Sequence, residues 1–69
     1  MMYRAAVITS QGFLRYVAEP GTQRLVDFGD RDKAFLFTTK NTALMDARRA
    51  VFAMGLEPEQ GGNYSALEV

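Results

Sequence analysis

Asp27, Asp30 and Asp32, in the run DFGDRDKAFLFTTK (27–40), form the one grouping in this chain with the look of a metal site. An Asp-Phe-Gly triplet holds magnesium inside a kinase fold, where a glycine-rich loop, an ATP-binding lysine and a catalytic loop stand upstream. None of these precedes it here, and 69 residues are too few for such a fold. A calcium loop needs a bidentate glutamate at its twelfth position. Counted from Asp27 that position is Thr38, and counted from Asp30 it is Asn41. The run reads instead as a turn. Phe28 ends a strand and Gly29 frees the backbone. Asp30 opens a helical turn with Arg31, Asp32 and Lys33 in water, and Ala34, Phe35 and Phe37 point inward.

Other reactive groups are sparse. The chain has no cysteine and no histidine, which removes disulfides, thiol nucleophiles, Cys-based zinc sites and the commonest general base. Ser10 and Ser65 therefore lack an imidazole to activate them, and Lys33 and Lys40 stand among polar neighbours. The glycine pair in QGGN (60–63) precedes a strand, the wrong order for cradling a phosphate at a helix N-terminus. The sequence points to a non-enzymatic protein with no metal and no cofactor. Formal net charge is zero, so no cationic excess drives sequence-independent binding to nucleic acid. The apolar run Ala5–Ile8 is far too short for a signal-peptide core or a membrane span. The expectation is a soluble, cytoplasmic protein with no membrane partner.

The elements that would carry any site follow from patterning. The chain is a single domain, 1–69, with a thin core, since a domain this small buries only about 60% of its unfolded surface. YRAAVITS (3–10), FLRYVAE (13–19) and TQRLVDF (22–28) read as three strands of an antiparallel meander, separated by glycine-bearing turns. Ala43, Ala47, Ala50, Val51 and Met54 recur at helical spacing and predict a helix over about 40–54. Thr38 or Thr39 can cap it, Gly55 can end it, and Leu56 falls where a Schellman cap places its apolar contact on Val51. Arg48 and Arg49 are expected to point outward. EPEQGGN (57–63) is a loop and YSALEV (64–69) a returning strand. The expected fold class is α+β: an antiparallel sheet of three to four strands with one helix packed on one face, in the order β-β-β-α-β.

Loops with even residue counts, including a four-residue Glu19–Thr22 loop, would place Tyr3, Ala5, Val7, Leu14, Tyr16, Ala18 and Leu25 under the helix. The opposite, open face would then carry Ala6, Ile8, Phe13, Val17, Val26 and Phe28, with Arg4, Arg15, Arg24 and Glu19, and Arg4 facing Glu19 across the strands. Exposed apolar groups of this size mark binding surfaces, and Phe and Arg are common interface anchors. The candidate partner-binding residues are Ile8, Phe13, Arg15, Val17, Arg24, Val26 and Phe28.

Asp30, Ala34, Phe37, Thr39, Ala43 and Ala47, within DRDKAFLFTTKNTALMDA (30–47), form a pattern that resembles small uncharacterised accessory proteins of phages and bacterial mobile elements. A three-stranded sheet followed by Phe-x-Thr into a helix is also similar to the arm-type DNA-binding domains of phage integrases, whose sheets are far more basic. The resemblance implies a stand-alone protein acting in the cytoplasm of a host cell, of the anti-CRISPR or host-takeover kind, that inhibits a host protein by covering its surface. The functional expectation is a non-catalytic protein–protein interaction module, with a homodimer through the open sheet face as a second use of that face. A small nucleic-acid-binding domain using the same Arg and aromatic side chains is the alternative.

Overall fold

The computed structural model describes residues 1–69. Four strands, β1 (Tyr3–Ile8), β2 (Leu14–Val17), β3 (Leu25–Asp27) and β4 (Tyr64–Glu68), form one antiparallel sheet in the order β3-β2-β1-β4. A 3-10 helix (Phe28–Lys33) follows β3, and the helix α1 (Lys40–Ala53) precedes β4. The fold is α+β, with one main helix on one side of the sheet.

Local chemistry sets the bounds of α1. The Thr39 hydroxyl accepts from the Thr42 N–H at 3.1 Å, a cap that satisfies one of the free donors of the first turn. At the other end Gly55 takes φ +82°, a backbone state costly for residues with a Cβ. Its N–H donates to the Phe52 carbonyl at 2.9 Å, and the Leu56 N–H donates to that of Val51 at 3.2 Å. This is the Schellman pattern, with Leu56 half-buried against the core. Ala43, Ala47, Ala50 and Val51 are buried on the inner face of α1, packed on Ala5, Val7, Val17 and Phe37. Alanine brings the helix close to the strands, and the largest fully buried side chains are only Val7, Val17 and Val51.

The strand register differs from the even-loop expectation, and the loops explain why. Thr9 N–H donates to the Phe13 carbonyl and Gly12 N–H to the Thr9 carbonyl, so Ser10–Gly12 is a three-residue loop with Gly12 at φ +87°. Ala18 N–H donates to the Arg24 carbonyl, so residues 19–23 make a five-residue loop around a Glu19–Thr22 turn. Each odd loop shifts pairing by one residue. The first gives Ala6↔Tyr16 and Val7↔Arg15, the second Tyr16↔Val26 and Val17↔Leu25. The two shifts cancel between β1 and β3, and they turn β2 alone upside down. Val17 and Arg15 face α1, whereas Leu14, Tyr16 and Ala18 face away with Ala6, Ile8 and Val26.

The side facing away from α1 is not open along its whole width. Ala6, Tyr16 and Ala34 form a small buried cluster there, flanked by Leu14 and Val26, with the 3-10 helix lying against β2 and β3. Arg4 lies over the Tyr16 ring, 5.8 Å from its centroid, and is not Glu19's partner. Beyond Ala34 the chain inserts between β1 and β2 where they splay. Phe35 N–H donates to the Val17 carbonyl at 3.0 Å, and Phe37 exchanges two hydrogen bonds of 2.8 Å with Tyr3. Ala34 and Phe37 thereby reach clusters on opposite sides of the sheet. Phe35, expected inside, remains partly exposed and meets Phe37 edge-on at 4.8 Å.

Two groups of side-chain hydrogen bonds, one around Asp46 and Arg49 and one at Asn63, fix the loops. Arg49 does not point into water: its guanidinium binds both carboxylate oxygens of Asp46 and donates to the Thr22 carbonyl at 2.9 Å. Asp46 also accepts from the Gly21 N–H at 3.0 Å, so α1 holds the β2–β3 loop. In the 57–63 loop the Asn63 amide accepts from the Glu59 N–H and donates to the Glu57 carbonyl, each at 2.8 Å.

Candidate functional site

The aspartates of the DFG run serve the backbone. Asp27 Oδ1 accepts from the Asp30 N–H at 3.2 Å and caps the 3-10 helix, as a short side-chain acceptor does wherever free N–H groups begin a helical turn. Asp30 lies 3.8 Å from Lys33 in an exposed ion pair, and Asp32 is exposed. Arg31 donates to the Phe28 carbonyl at 3.0 Å and stacks its guanidinium over the Phe28 ring at 4.3 Å. The run thus folds Phe28 and Arg31 into one unit.

Phe28 forms one wall of an open pocket of about 450 Å³, lined by Phe13, Leu14, Arg15, Asp27, Phe28 and Gly29. The odd-length β1–β2 loop sets Phe13 on the same side of β2 as Arg15, and the Arg15↔Asp27 pairing brings the third wall alongside. α1 lies over β1 and β4 and leaves this corner of β2 and β3 bare. Phe13 and Phe28 are 55% and 54% exposed, far more than a ring held by its own core. No hydrogen bond or ion pair engages the Arg15 guanidinium, while Asp27 is committed to its cap. The corner therefore offers two aromatic surfaces and a free planar cation, a combination suited to an apolar group carrying a carboxylate or another hydrogen-bond acceptor.

Of the residues selected from sequence, Phe13, Arg15 and Phe28 come together here. The other four do not join them. Val17 is 0% exposed, sealed between β2 and α1 because the register turns it inward. Ile8 and Val26 lie on the opposite side of the sheet, Val26 partly covered beside Tyr16 and Ala34. Arg24 stands at the far end of β2–β3, 3.7 Å from Glu19 in an exposed pair. The single broad apolar face expected from even loops is thus replaced by a compact corner and a separate, half-covered side.

No family model matches the chain, and neither does any curated protein or solved structure.

Sequence reading passed over two features. Asp27 and Gly29 belong to the pocket, and the signal was there in their position on either side of Phe28. The outer flank of α1 carries Met45 and Phe52, 64% and 71% exposed. They lie seven residues apart, opposite the alanine face that identifies the helix, and could have been found from that spacing.

Proposed function

We propose that this chain is a non-catalytic protein–protein interaction module whose docking point is the corner formed by Phe13, Arg15 and Phe28. The observation that carries the reading is two half-exposed phenylalanine rings flanking an unpaired arginine at the pocket, each set by backbone geometry and none needed by the core. Arginine and aromatic side chains with little conformational freedom are the groups that dominate binding energy at interface centres. Arg31 on the Phe28 ring restrains that anchor before a partner arrives. With the phage-type resemblance of residues 30–47, the favoured partner is a host protein whose working surface the bound chain would cover. Net neutrality favours a protein partner over a phosphate backbone.

The test is quantitative capture of partner from host lysate by tagged wild type and by Phe13→Ala/Phe28→Asp, with circular dichroism on both. Retained fold and loss of at least about tenfold in captured partner support the reading, since hot-spot truncations commonly exceed 1 kcal/mol. Equal capture by both proteins removes the corner from the interface. Binding that collapses by orders of magnitude from low to physiological salt would transfer the corner to nucleic acid.

A further inference from the structure

We infer that the outer edge of β4 is a homodimer seam, joining two copies of this chain into one continuous sheet with their α1 helices side by side. The argument begins with the ladder. Ile8 N–H donates to the Asn63 carbonyl and Val69 N–H to that of Met2, and the β1–β4 register links these two ends through Ala6↔Ser65 and Arg4↔Leu67. Antiparallel pairing alternates, so Ser65 and Leu67 spend their backbone groups on β1. Ala66 and Glu68 turn theirs the other way, where β4 is the last strand of the sheet.

An edge of this kind is normally guarded by a lysine, a proline, a bulge or a covering loop. Tyr64–Glu68 has no lysine, arginine or proline and a single charge at Glu68, and its one covering contact is at Tyr64, which bridges Gln60 and accepts from the Gly61 N–H at 2.9 Å. The other edge, β3, is only three residues long and runs straight into the 3-10 helix. The free length at 66–68 matches a second copy of itself. With Leu67 opposite Leu67 of the second copy, each Ala66 pairs with the other copy's Glu68. Every outward N–H and C=O of those two residues then finds a partner. Leu67, 40% exposed, faces its symmetry mate in the non-hydrogen-bonded position, where side chains approach closest. Glu68 meets alanine and not a like charge. A register centred on Ala66 would require the Tyr64 edge, which Gln60 and Gly61 already occupy.

The helices agree with this geometry. α1 lies over β1 and β4, roughly half a strand spacing inside β4, and the twofold axis would fall half a spacing outside it. With strands about 4.8 Å apart, the two helix axes come to about 10 Å, at the upper end of the range for packed helices. Asp46 and Arg49 mark the flank of α1 turned toward the β2–β3 loop. At 100° per residue Leu44 and Arg48 lie on the other flank, toward the seam, while Phe52 stands nearly opposite the buried alanine face. Arg48 on that flank is long enough to keep its guanidinium in water. The seam lies away from the Phe13–Phe28 corner, so each copy keeps its docking point.

Sedimentation across a concentration series tests the seam with two variants. Ala66→Pro removes an N–H that the monomer does not use and sets the ring on the edge, where proline is tolerated. Phe28→Asp alters only the corner. The expected result is a two-chain mass for wild type and Phe28→Asp, and a one-chain mass for Ala66→Pro with an unchanged dichroism spectrum. In wild type, the Ala66 and Glu68 amides should exchange with solvent on the order of a hundredfold more slowly than loop amides. Should Ala66→Pro fail to fold, that exchange measurement decides. A wild-type monomer throughout the series, an Ala66→Pro dimer, or fast exchange at both amides overturns the seam. A monomer made only by Phe28→Asp would place self-association at the corner instead.

Discussion

α1 covers β1 and β4 with fourteen residues and an alanine face, whereas the opposite side of the sheet has only the 3-10 helix and Ala34 over β2 and β3. The helix side reaches full burial at Ala5, Val7, Val17, Ala43, Ala47, Ala50 and Val51. The 3-10 side buries Ala6, Tyr16 and Ala34, and leaves Leu14 and Val26 half-covered. A small chain has too little material to close both sides equally. Stability is concentrated where α1 covers β1 and β4, and at the β2–β3 end that α1 leaves bare Phe13, Arg15 and Phe28 stay free to bind.

The sharpest way to break this contrast is a pair of identical chemical changes. Val17→Asp puts an unpaired carboxylate under α1, and charge burial without a partner belongs to the class that costs roughly 5 kcal/mol or more. A domain of this length has about that much stability in total, so the variant should lack a cooperative thermal transition. Phe28→Asp makes the same change at the corner and should stay folded, within about 1 kcal/mol of wild type in urea, because its ring is already half in water. If the two variants behave alike, the division between stability and binding surface fails.

Smaller changes sharpen it. Asp46→Ala removes the Gly21 bond and the Arg49 pair together, and should lower stability by about 1–2 kcal/mol while speeding proteolysis at residues 19–23. Thr39→Ala removes the cap of α1 and should cost about 1 kcal/mol, a fall of about 4–8 °C in Tm for a domain of this size. Both belong to the helix side and should leave partner capture at the corner unchanged once the protein is folded.

What could be read from sequence follows from the range of the forces involved. α1 was legible because its cap at Thr39, its alanine spacing and its end at Gly55–Leu56 are local signals within single turns. The order of elements along the chain was legible from glycine-bearing breaks, whereas no local signal placed β4 beside β1. The side on which β2 shows its residues was not, because it depends on whether a loop holds an odd or even number of residues. Gly12 suits a two-residue turn or the left-handed end of a three-residue one. Val17 and Arg15 therefore exchanged places with Leu14 and Tyr16, and the candidate surface split. Phe13, Arg15 and Phe28 still came together, since Phe13 and Arg15 alternate onto one side at the start of β2 and the turn at Gly29 folds Phe28 back. Arg49 was misplaced for a different reason: its partners at Thr22 and Asp46 combine a distant loop with its own helix turn.

β1 precedes the other strands of the sheet and is completed last. Its neighbours come from residues 14–16, from Phe37 and from residues 64–68, so this inner strand must wait for residues about sixty positions downstream before its second flank is filled. On a ribosome the hairpin of β1 and β2 can form early, but Ala5 and Val7 stay uncovered until α1 and β4 have emerged. Contacts so distant in sequence slow folding, and an apolar strand exposed in the interval is the moment of greatest risk for aggregation. A nascent chain stalled before Tyr64 would be held at that vulnerable stage, because β4 fills the last open flank of β1.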